Sequence, residues 1–322
     1  MSYKSDLQSN NDDLQSILDS INNLPEADSG GGSGNTDLED ALITGELAEY
    51  SNDRVQTVGS YAFYSRKNIK KVSFPEATTI EGYAFAYCSI SKASFPKATS
   101  IGSYAFYTCG ITTVDFPEVT TIGSYAFGSC LYFSTVSIPK ATSIGSNAFY
   151  SCSSLTTVDF PEATTIGEDA FYACKRLSTV SIPKATSIGS GAFYSCSVLT
   201  TVDFPEATTI GSWTFGKCYS LTTVNFPEVT TIENSAFYSC SSLTTVSFSK
   251  VTSISGSAFA NCTSLTTAYF LASTLCTLAA SNAFSNTGIW SDKGSIFVPA
   301  SLVDSYKKAA RWSYFSNIIF GV

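Results

Sequence analysis

The segment Leu155-Thr-Thr-Val-Asp-Phe-Pro-Glu-Ala-Thr-Thr-Ile-Gly-Glu-Asp-Ala-Phe-Tyr-Ala-Cys-Lys-Arg176 decides the fold of this chain, because nine versions of it follow one another from Ile69 to Ser264. Each version is 21 or 22 residues long. A unit this short cannot bury its own apolar side chains, so its copies must stack on one another. The repeat therefore predicts a solenoid whose long continuous surfaces bind something large.

Within each unit, the spacing of apolar residues predicts two short strands and one tight helical turn. Leu155, Val158 and Phe160 are spaced to point inward from the first strand, while the residues between them point outward. A second short strand ends at Gly167, and the helical turn covers residues 170–174 with its Ala, Phe and Cys side chains inward. Each unit is thus one rung of about seven inward apolar groups.

Three different patterns precede the repeat. Residues 1–24 carry apolar residues seven apart and predict an amphipathic or coiled-coil helix, which docks on another protein or associates with copies of this chain, for example as a trimer. Residues 25–37 are rich in Gly, Ser and Asp and predict a flexible linker. In residues 38–68, the segment Val58-Gly-Ser-Tyr-Ala-Phe-Tyr64 matches residues 101–107, which predicts an N-terminal capping rung.

The nine-unit solenoid, residues 69–264, ends where the pattern degenerates. Residues 265–322 are predicted to form a C-terminal α/β cap that covers the open edge of the last rung. Ser301 and Asp304 have the spacing of a capping box at the start of a helix in this cap. No run in the chain approaches the ~18 apolar residues of a membrane span.

Charge is distributed unevenly along the chain, whose net charge is −8. Residues 1–53 hold twelve acids and one base, whereas residues 54–322 hold fourteen acids and seventeen bases. A nearly neutral repeat body argues against nucleic acid as a partner, since binding to phosphates needs many Lys and Arg on one face. Residues 1–10 lack an apolar h-region, so if Met1 is the native start we expect synthesis in the cytosol.

The residue after each proline, or after Ser249 in the last unit, almost alternates in charge from unit to unit. Equivalent residues of stacked parallel strands lie ~4.8 Å apart, so alternation avoids repulsion between like charges. The pair Glu206 and Glu228 breaks the alternation and has the spacing of the two carboxylates of a retaining glycosidase. A flat, exposed row of equivalent residues offers no cleft for a substrate, so we do not expect catalysis there. This charge file comprises Glu76, Lys97, Glu118, Lys140, Glu162, Lys184, Glu206, Glu228 and Lys250.

Cysteine also recurs once in each unit, at a position that points inward. Straight files do not supply a tetrahedral metal site, and the chain contains no histidine, so we expect no metal and no cofactor. The inward position favours reduced thiols used as small apolar groups, with disulfides between neighbouring rungs as the alternative. This cysteine file comprises Cys88, Cys109, Cys130, Cys152, Cys174, Cys196, Cys218, Cys240 and Cys262.

The absence of histidine removes the commonest general acid and base, and we therefore predict that the protein is not an enzyme. Two exposed features are candidates for recognition of a ligand. The first is a file of tyrosines after the Ala-Phe pair, where the alternative is that each ring packs against its neighbour. The second is the outward row of the first strand. The candidates are Tyr107, Tyr150, Tyr172, Tyr194 and Tyr238 in the file, and Thr157, Asp159, Thr201 and Asp203 in the row.

The unit Leu-Thr-Thr-Val-x-Phe-Pro-x-x-x-x-Ile-Gly-x-x-Ala-Phe-x-x-Cys, as at Leu199–Cys218 and Leu221–Cys240, resembles the BspA-like leucine-rich repeat. The resemblance covers about residues 55–287. It implies a curved right-handed leucine-rich-repeat solenoid of short parallel β-strands. It also implies a bacterial surface protein that adheres to host proteins or to other cells.

The segment Leu14-Gln-Ser-Ile-Leu-Asp-Ser-Ile-Asn-Asn-Leu-Pro25, together with Leu38-Glu-Asp-Ala-Leu-Ile43 and Tyr50-Ser-Asn-Asp-Arg54, resembles leaders of phage and prophage tail-region proteins. This second resemblance implies a virion protein that binds a virion structural protein through residues 1–24. Its solenoid would then recognise a glycan or protein on the bacterial surface. The alternative is a bacterial cell-surface adhesin of the BspA-like family.

Overall fold

The repeat folds into stacked rungs in a computed structural model that describes residues 48–322. Each rung contains a short strand, a proline turn, a two-residue strand and a run of tight turns. Neighbouring rungs pair in parallel and in register, so Thr157 lies between Thr135 and Thr179. The predicted solenoid of short parallel strands is confirmed.

The strands form two ladders along the molecule. Odd-numbered strands from β1 to β21, extended by β23 and β24, make the first ladder, and even-numbered strands from β2 to β22 make the second. Hydrogen bonding is interrupted after β7, β13 and β17 in the first ladder and after β14 in the second, although the strands stay adjacent there. In chain order the strands are β1 (Glu49–Ser51), β2 (Thr57–Val58), β3 (Lys71–Ser73), β4 (Thr79–Ile80), β5 (Lys92–Ser94), β6 (Ser100–Ile101), β7 (Thr113–Asp115), β8 (Thr121–Ile122), β9 (Thr135–Ser137), β10 (Ser143–Ile144), β11 (Thr157–Asp159), β12 (Thr165–Ile166), β13 (Thr179–Ser181), β14 (Ser187–Ile188), β15 (Thr201–Asp203), β16 (Thr209–Ile210), β17 (Thr223–Asn225), β18 (Thr231–Ile232), β19 (Thr245–Phe248), β20 (Ser253–Ile254), β21 (Thr267–Phe270), β22 (Thr277–Leu278), β23 (Ser295–Val298) and β24 (Ile319–Gly321).

The paired threonines of each rung serve the stacking directly. Thr156 Oγ1 donates a hydrogen bond to the backbone oxygen of Ser134 in the preceding rung, at 2.9 Å. Thr164 makes the same kind of bond to Thr142, at 3.4 Å. Hydroxyl groups thus add hydrogen bonds between rungs to those of the backbone, which accounts for one threonine of each pair.

The structure differs from the prediction at residues 167–174, which form overlapping β-turns rather than a helical turn. The amides of Ala170, Tyr172 and Cys174 each bond to a carbonyl three residues earlier, whereas those of Phe171 and Ala173 bond to the next rung. The backbone is left-handed at Asp169 (φ 51°) and Ala173 (φ 56°). A right-handed helix cannot continue through a left-handed residue, and this reversal turns alternate amides towards the neighbouring rung.

The interior is a continuous apolar column built from equivalent residues. One phenylalanine of each rung stacks on the next with ring centroids 5.0 to 5.5 Å apart and nearly parallel planes. Each rung therefore buries its aromatic ring against two others, as expected of units that cannot form a core alone. These stacked rings, which we call the phenylalanine spine of the column, are Phe63, Phe85, Phe106, Phe127, Phe149, Phe171, Phe193, Phe215, Phe237, Phe259 and Phe284.

Residues beyond β22 close the end of this column. They contain 3-10 helices at Ser281–Phe284, Ala300–Leu302 and Trp312–Ile318, and one short α-helix, α1 (Val303–Lys308). The predicted capping box is wrong, because α1 continues directly from the second 3-10 helix and its N-cap residue Leu302 makes no side-chain hydrogen bond.

The predictions for residues 1–24 and 25–37 lie outside the described residues. Of the predicted capping rung, residues 48–68 are described, and their strands β1 and β2 pair with β3 and β4. Tyr50 covers this end of the core by packing on Phe63 and Phe74, with centroids 5.2 and 5.4 Å away. Across residues 48–322, every helix is too short or too polar to traverse a membrane.

Candidate binding surface

Tyrosines at one left-handed position form an ordered stack on the surface. We define Tyr61, Tyr83, Tyr104 and Tyr125 as the Tyr61 file, which occupies the position just before the Ala-Phe pair. Successive ring centroids lie 4.6 to 4.9 Å apart, and neighbouring planes differ by at most 9°. The sequence analysis missed this file, although each of its members stands in a Tyr-Ala-Phe segment of the first rungs.

A second stack continues along the same side of the solenoid. We define Tyr150, Tyr172 and Tyr194, which follow the Ala-Phe pair, as the Tyr172 file. Their centroids are 5.0 Å apart, with planes 11° and 15° from parallel. Trp213 joins this file to Tyr238, at 5.9 Å from Tyr194 and 5.2 Å from Tyr238.

The two files form one aromatic belt from Tyr61 to Tyr238, because Tyr125 contacts Tyr150 at 6.1 Å. Glycine leaves room for the ring contacts that pass from one position of the belt to the other. A Cβ added at Gly216 would lie 2.8 Å from Tyr194 Cδ2 and 3.2 Å from Trp213 Cε3. A side chain at this position would displace both rings, so glycine allows Trp213 and Tyr194 to contact each other.

Stacking determines what the belt presents to solvent. Within a file, parallel rings cover each other's faces, so their edges and hydroxyl groups remain outward. Among the candidates, Tyr107 lies beside the Tyr61 file and contacts Tyr104 at 5.4 Å. On Tyr194, the amino group of Lys217 lies 5.2 Å from the ring centroid, within cation–π distance.

The predicted Thr and Asp candidates lie on the first ladder, so the structure does not bring them together with the tyrosines. Thr157 and Asp159 belong to β11, and Thr201 and Asp203 belong to β15. Asp159 accepts a hydrogen bond from the Ser137 hydroxyl at 3.2 Å. In the same way, Asp203 accepts one from Asn225 Nδ2 at 2.8 Å. The nine candidates therefore divide between two separate surfaces.

The charge file forms four exposed ion pairs between neighbouring rungs. Each lysine reaches back to the glutamate of the preceding rung, which is the attraction that alternation of sign allows. Glu206 forms no ion pair with any described residue, and Glu228 pairs with Lys250. The pairs are Glu76–Lys97 at 2.6 Å, Glu118–Lys140 at 2.5 Å, Glu162–Lys184 at 2.7 Å and Glu228–Lys250 at 2.5 Å.

The cysteine file lies wholly inside the core with free thiols. Each thiol donates to the carbonyl oxygen of a phenylalanine in the preceding rung, as Cys174 Sγ does to Phe149 at 3.1 Å. Burial raises the pKa of Cys130 and of Cys174 to about 12. These thiols are therefore protonated at neutral pH, which disfavours reaction as nucleophiles.

Two shallow depressions interrupt the surface, and the sequence analysis identified neither. The first, of about 390 Å³, lies where rungs are one residue shorter, with Gly110 on its floor. Lys67 and Lys70 line one side, and the exposed side chains of Leu131 and Tyr132 line the other. The sequence signal was the change of repeat length from 21 to 22 residues.

The second depression, of about 350 Å³, lies on the aromatic belt, and we name it the Trp213 groove. Tyr172 and Tyr194 flank it, Trp213 closes one end, and Asp169 and Gly191 lie within it. The groove forms because the position that carries tyrosine in the Tyr61 file carries Asn147, Asp169 and Gly191 in later rungs. The sequence pattern that indicated the groove was this change from tyrosine to smaller residues, followed by Trp213 at the same position.

A parallel solenoid of short stacked rungs defines a repeat protein. The family model described as BspA type Leucine rich repeat region matches residues 49–100, 78–197 and 164–290. The chain therefore belongs to the BspA-type leucine-rich repeat family. Leucine-rich repeat proteins of this family are typically non-enzymatic binding proteins of the cell surface.

Solved structures of bacterial leucine-rich repeat proteins are similar to this chain. A leucine-rich repeat protein from Bacteroides ovatus is 22% identical with a TM-score of 0.58, over 87% of this chain and 85% of that one. The pneumococcal vaccine antigen PcpA is 17% identical with a TM-score of 0.51, over 85% and 79%. A leucine rich cell surface protein from Faecalibacterium prausnitzii is 21% identical with a TM-score of 0.45, over 84% and 90%. Among curated proteins, no match to this chain is found.

Proposed function

We propose that the protein is a non-enzymatic cell-surface adhesin whose aromatic belt binds a glycan or protein on another surface. The observation that carries this proposal is the continuous run of ring contacts from Tyr61 to Tyr238 on an exposed side of the solenoid. Membership of the BspA-type family supports a role in binding or adhesion.

The composition of the belt suits recognition. Tyrosine offers a large amphipathic contact area with few rotatable bonds, so little conformational entropy is lost when it binds. Stacking on neighbouring rungs immobilises these rings further before any ligand arrives, which lowers the cost of association. Outward hydroxyl groups supply hydrogen bonds in both directions.

The prediction of a phage tail protein depends on the leader resemblance at residues 14–25, 38–43 and 50–54, of which residues 14–25 and 38–43 lie outside the described residues. The family favours the predicted alternative, an adhesin, over a virion protein. Docking on a virion structural protein, or association into an oligomer through residues 1–24, therefore stays a prediction. Co-purification with phage particles rather than with cell envelopes would support the virion alternative.

The test compares the adhesion of belt variants to cells. Purified protein carrying a fluorescent label is incubated with bacterial and with host epithelial cells, and bound fluorescence is measured. We expect Tyr104→Ala combined with Tyr172→Ala to weaken binding by about tenfold or more, as loss of contact hot spots does. Tyr314→Ala is the matched control, because Tyr314 is 71% exposed and makes no ring contact with the belt.

Circular dichroism confirms that each variant is folded. Unchanged adhesion by the double variant, with loss of adhesion by Thr157→Ala and Asp203→Ala, would move the binding surface to the first ladder. Failure of the native protein to bind any of the cells would contradict the adhesin proposal. Release of sugar from a labelled glycan by the native protein, but not by Glu206→Gln, would contradict its non-enzymatic nature.

A further inference from the structure

We propose that the Trp213 groove binds one pyranose unit of a non-acidic glycan. This inference rests on the proposed adhesive function and specifies a ligand class and a place on the belt. The groove volume of about 350 Å³ lies at the lower end of the range for small-molecule sites, about 300 to 1,000 Å³. That volume suits a single sugar ring with its chain continuing along the open surface.

The groove exists because one position changes its residue type along the solenoid. This position carries tyrosine through Tyr125, then Asn147, Asp169 and Gly191, and then Trp213. Gly191 has the left-handed backbone of the tyrosines that occupy the same position elsewhere (φ 63°). The missing side chain leaves a space into which the Asp169 carboxylate reaches, since a Cβ at Gly191 would clash with Asp169 Oδ1. Aromatic residues line the groove around this space.

Trp213 supplies the apolar surface for such a ring. Its plane is inclined by 70° to Tyr194 and by 55° to Tyr238, so parallel stacking does not cover its faces. The residue is 40% exposed. This is the part of the belt where an aromatic face is left for the apolar face of a sugar, with the edges of Tyr172 and Tyr194 alongside.

Two carboxylates supply the polar recognition. Glu168 and Asp169 line the groove, and neither forms an ion pair with another residue of the described chain, unlike the glutamates at positions 76, 118, 162 and 228. A Cβ at Gly191 would collide with the Asp169 carboxylate, so glycine is needed for this placement. Burial, and then the charge of Glu168, raises the pKa of Asp169.

These groups determine which sugars fit. Carboxylates accept hydrogen bonds from sugar hydroxyls, and the hydroxyl of Ser190 both donates and accepts. Ser212 is held in place because its amide and hydroxyl donate to Glu233 Oε2, at 3.0 and 2.9 Å. The two carboxylates outweigh the single positive charge of Lys217, which lies over Tyr194 beside the groove, so the groove keeps a net negative charge that disfavours a uronic or sialic acid.

The experiment titrates the full-length protein with maltotetraose, mannotetraose, chitotetraose and tetragalacturonic acid, at concentrations up to about 10 mM. Calorimetry measures affinity, and tryptophan fluorescence reports on the environment of Trp213. We expect at least one of the three non-acidic probes to bind at least tenfold more tightly than tetragalacturonic acid. Gly191→Tyr fills the groove and Asp169→Asn removes a carboxylate, and each should weaken that binding about tenfold or more.

Ser257→Tyr is the matched control, because Ser257 has the same left-handed position (φ 55°) in a rung away from the groove. It should leave binding unchanged. Absence of binding by all three non-acidic probes, equal binding by Gly191→Tyr, or preferred binding of tetragalacturonic acid would overturn the inference. If the native protein still adheres to cells in any of these cases, the groove assignment fails while the adhesin proposal stands.

Discussion

Left-handed backbone is unusually regular in this protein, for it recurs twice per rung at the positions of Asp169 and Ala173. Residues other than glycine disfavour this conformation by roughly 1–2 kcal/mol, because Cβ approaches the following carbonyl oxygen. Each such residue places the amide that bonds to the next rung, as Ala173 N does to Tyr194 O at 2.8 Å. Hydrogen bonds between rungs thus offset the strain at these single positions.

This strain predicts opposite effects for two neighbouring alanines. We expect Ala173→Gly to raise the free energy of unfolding by about 0.5–1 kcal/mol, because glycine adopts a left-handed backbone without strain. Ala170→Gly should lower it by about 1–2 kcal/mol, since Ala170 is buried, is not left-handed and loses a packed methyl group.

Guanidinium denaturation followed by circular dichroism measures both variants of this pair. The comparison removes effects common to any Ala-to-Gly change in the unfolded chain. Destabilisation of similar size at both positions would contradict a backbone origin for the difference.

The C-terminal segment, residues 285–322, follows the last stacked phenylalanine and covers the end of the column with a cluster of aromatic rings. Trp312 contacts Phe270, Phe284 and Tyr306, with centroids 5.6, 6.2 and 5.2 Å away. Its indole nitrogen donates to the backbone oxygen of Cys276 at 2.7 Å. The end of a solenoid exposes apolar side chains that have no further rung to pack on. Trp312 covers them with a buried ring whose one polar group is hydrogen-bonded.

Removing this ring should uncap the column. We expect Trp312→Ala to lower the free energy of unfolding by about 3–5 kcal/mol, the usual cost of a large cavity. Trp290→Ala is the control, because Trp290 is 45% exposed and should cost no more than about 1 kcal/mol. Equal denaturation midpoints for the two variants would show that the C-terminal segment does not stabilise the solenoid.

Strand register was predictable from the sequence, whereas the turns and the groove were not. Equal spacing of Thr157 and Thr179 in successive units dictates that they pair, and inward Val158 and Cys174 follow from the same register. Residues 170–174 were misread as a helical turn because an alanine such as Ala173 rarely adopts a left-handed backbone. The Trp213 groove depends on how rings in neighbouring rungs stack, which no single unit contains.

Buried cysteine thiols recur along the whole solenoid, and we expect them to make its stability depend on alkaline pH. All nine cysteines of the file and Cys276 are buried in the folded protein. Burial raises the pKa of Cys276 to about 12 and places that of Cys152 and Cys196 well above the usual range. In the unfolded chain the same thiols ionise near pH 8.5.

Folded-state pKa values above the unfolded ones mean that the stabilisation is complete below about pH 8.5. It is lost as pH rises through the unfolded value towards the folded value. Each thiol whose pKa is raised by burial, such as Cys152, Cys196 and Cys276, should then contribute a loss of up to about 1.4 kcal/mol per pH unit in the free energy of unfolding. With many thiols acting together, we expect the guanidinium midpoint to be constant from pH 6 to 8 and to fall steeply between about pH 8.5 and 9.5, below the ionisation of tyrosine and lysine.

Cys174→Ala removes one thiol from the middle of the column and is the variant that isolates this effect. Its stability should decline with pH by about 1.4 kcal/mol per unit less than that of the native protein. The thiols should also resist alkylation at pH 8 until denaturant unfolds the chain, because the thiolate is the reactive form. A midpoint that stays constant through pH 9.5, or rapid alkylation of the folded protein, would show that the thiols ionise freely and that the column is open to solvent.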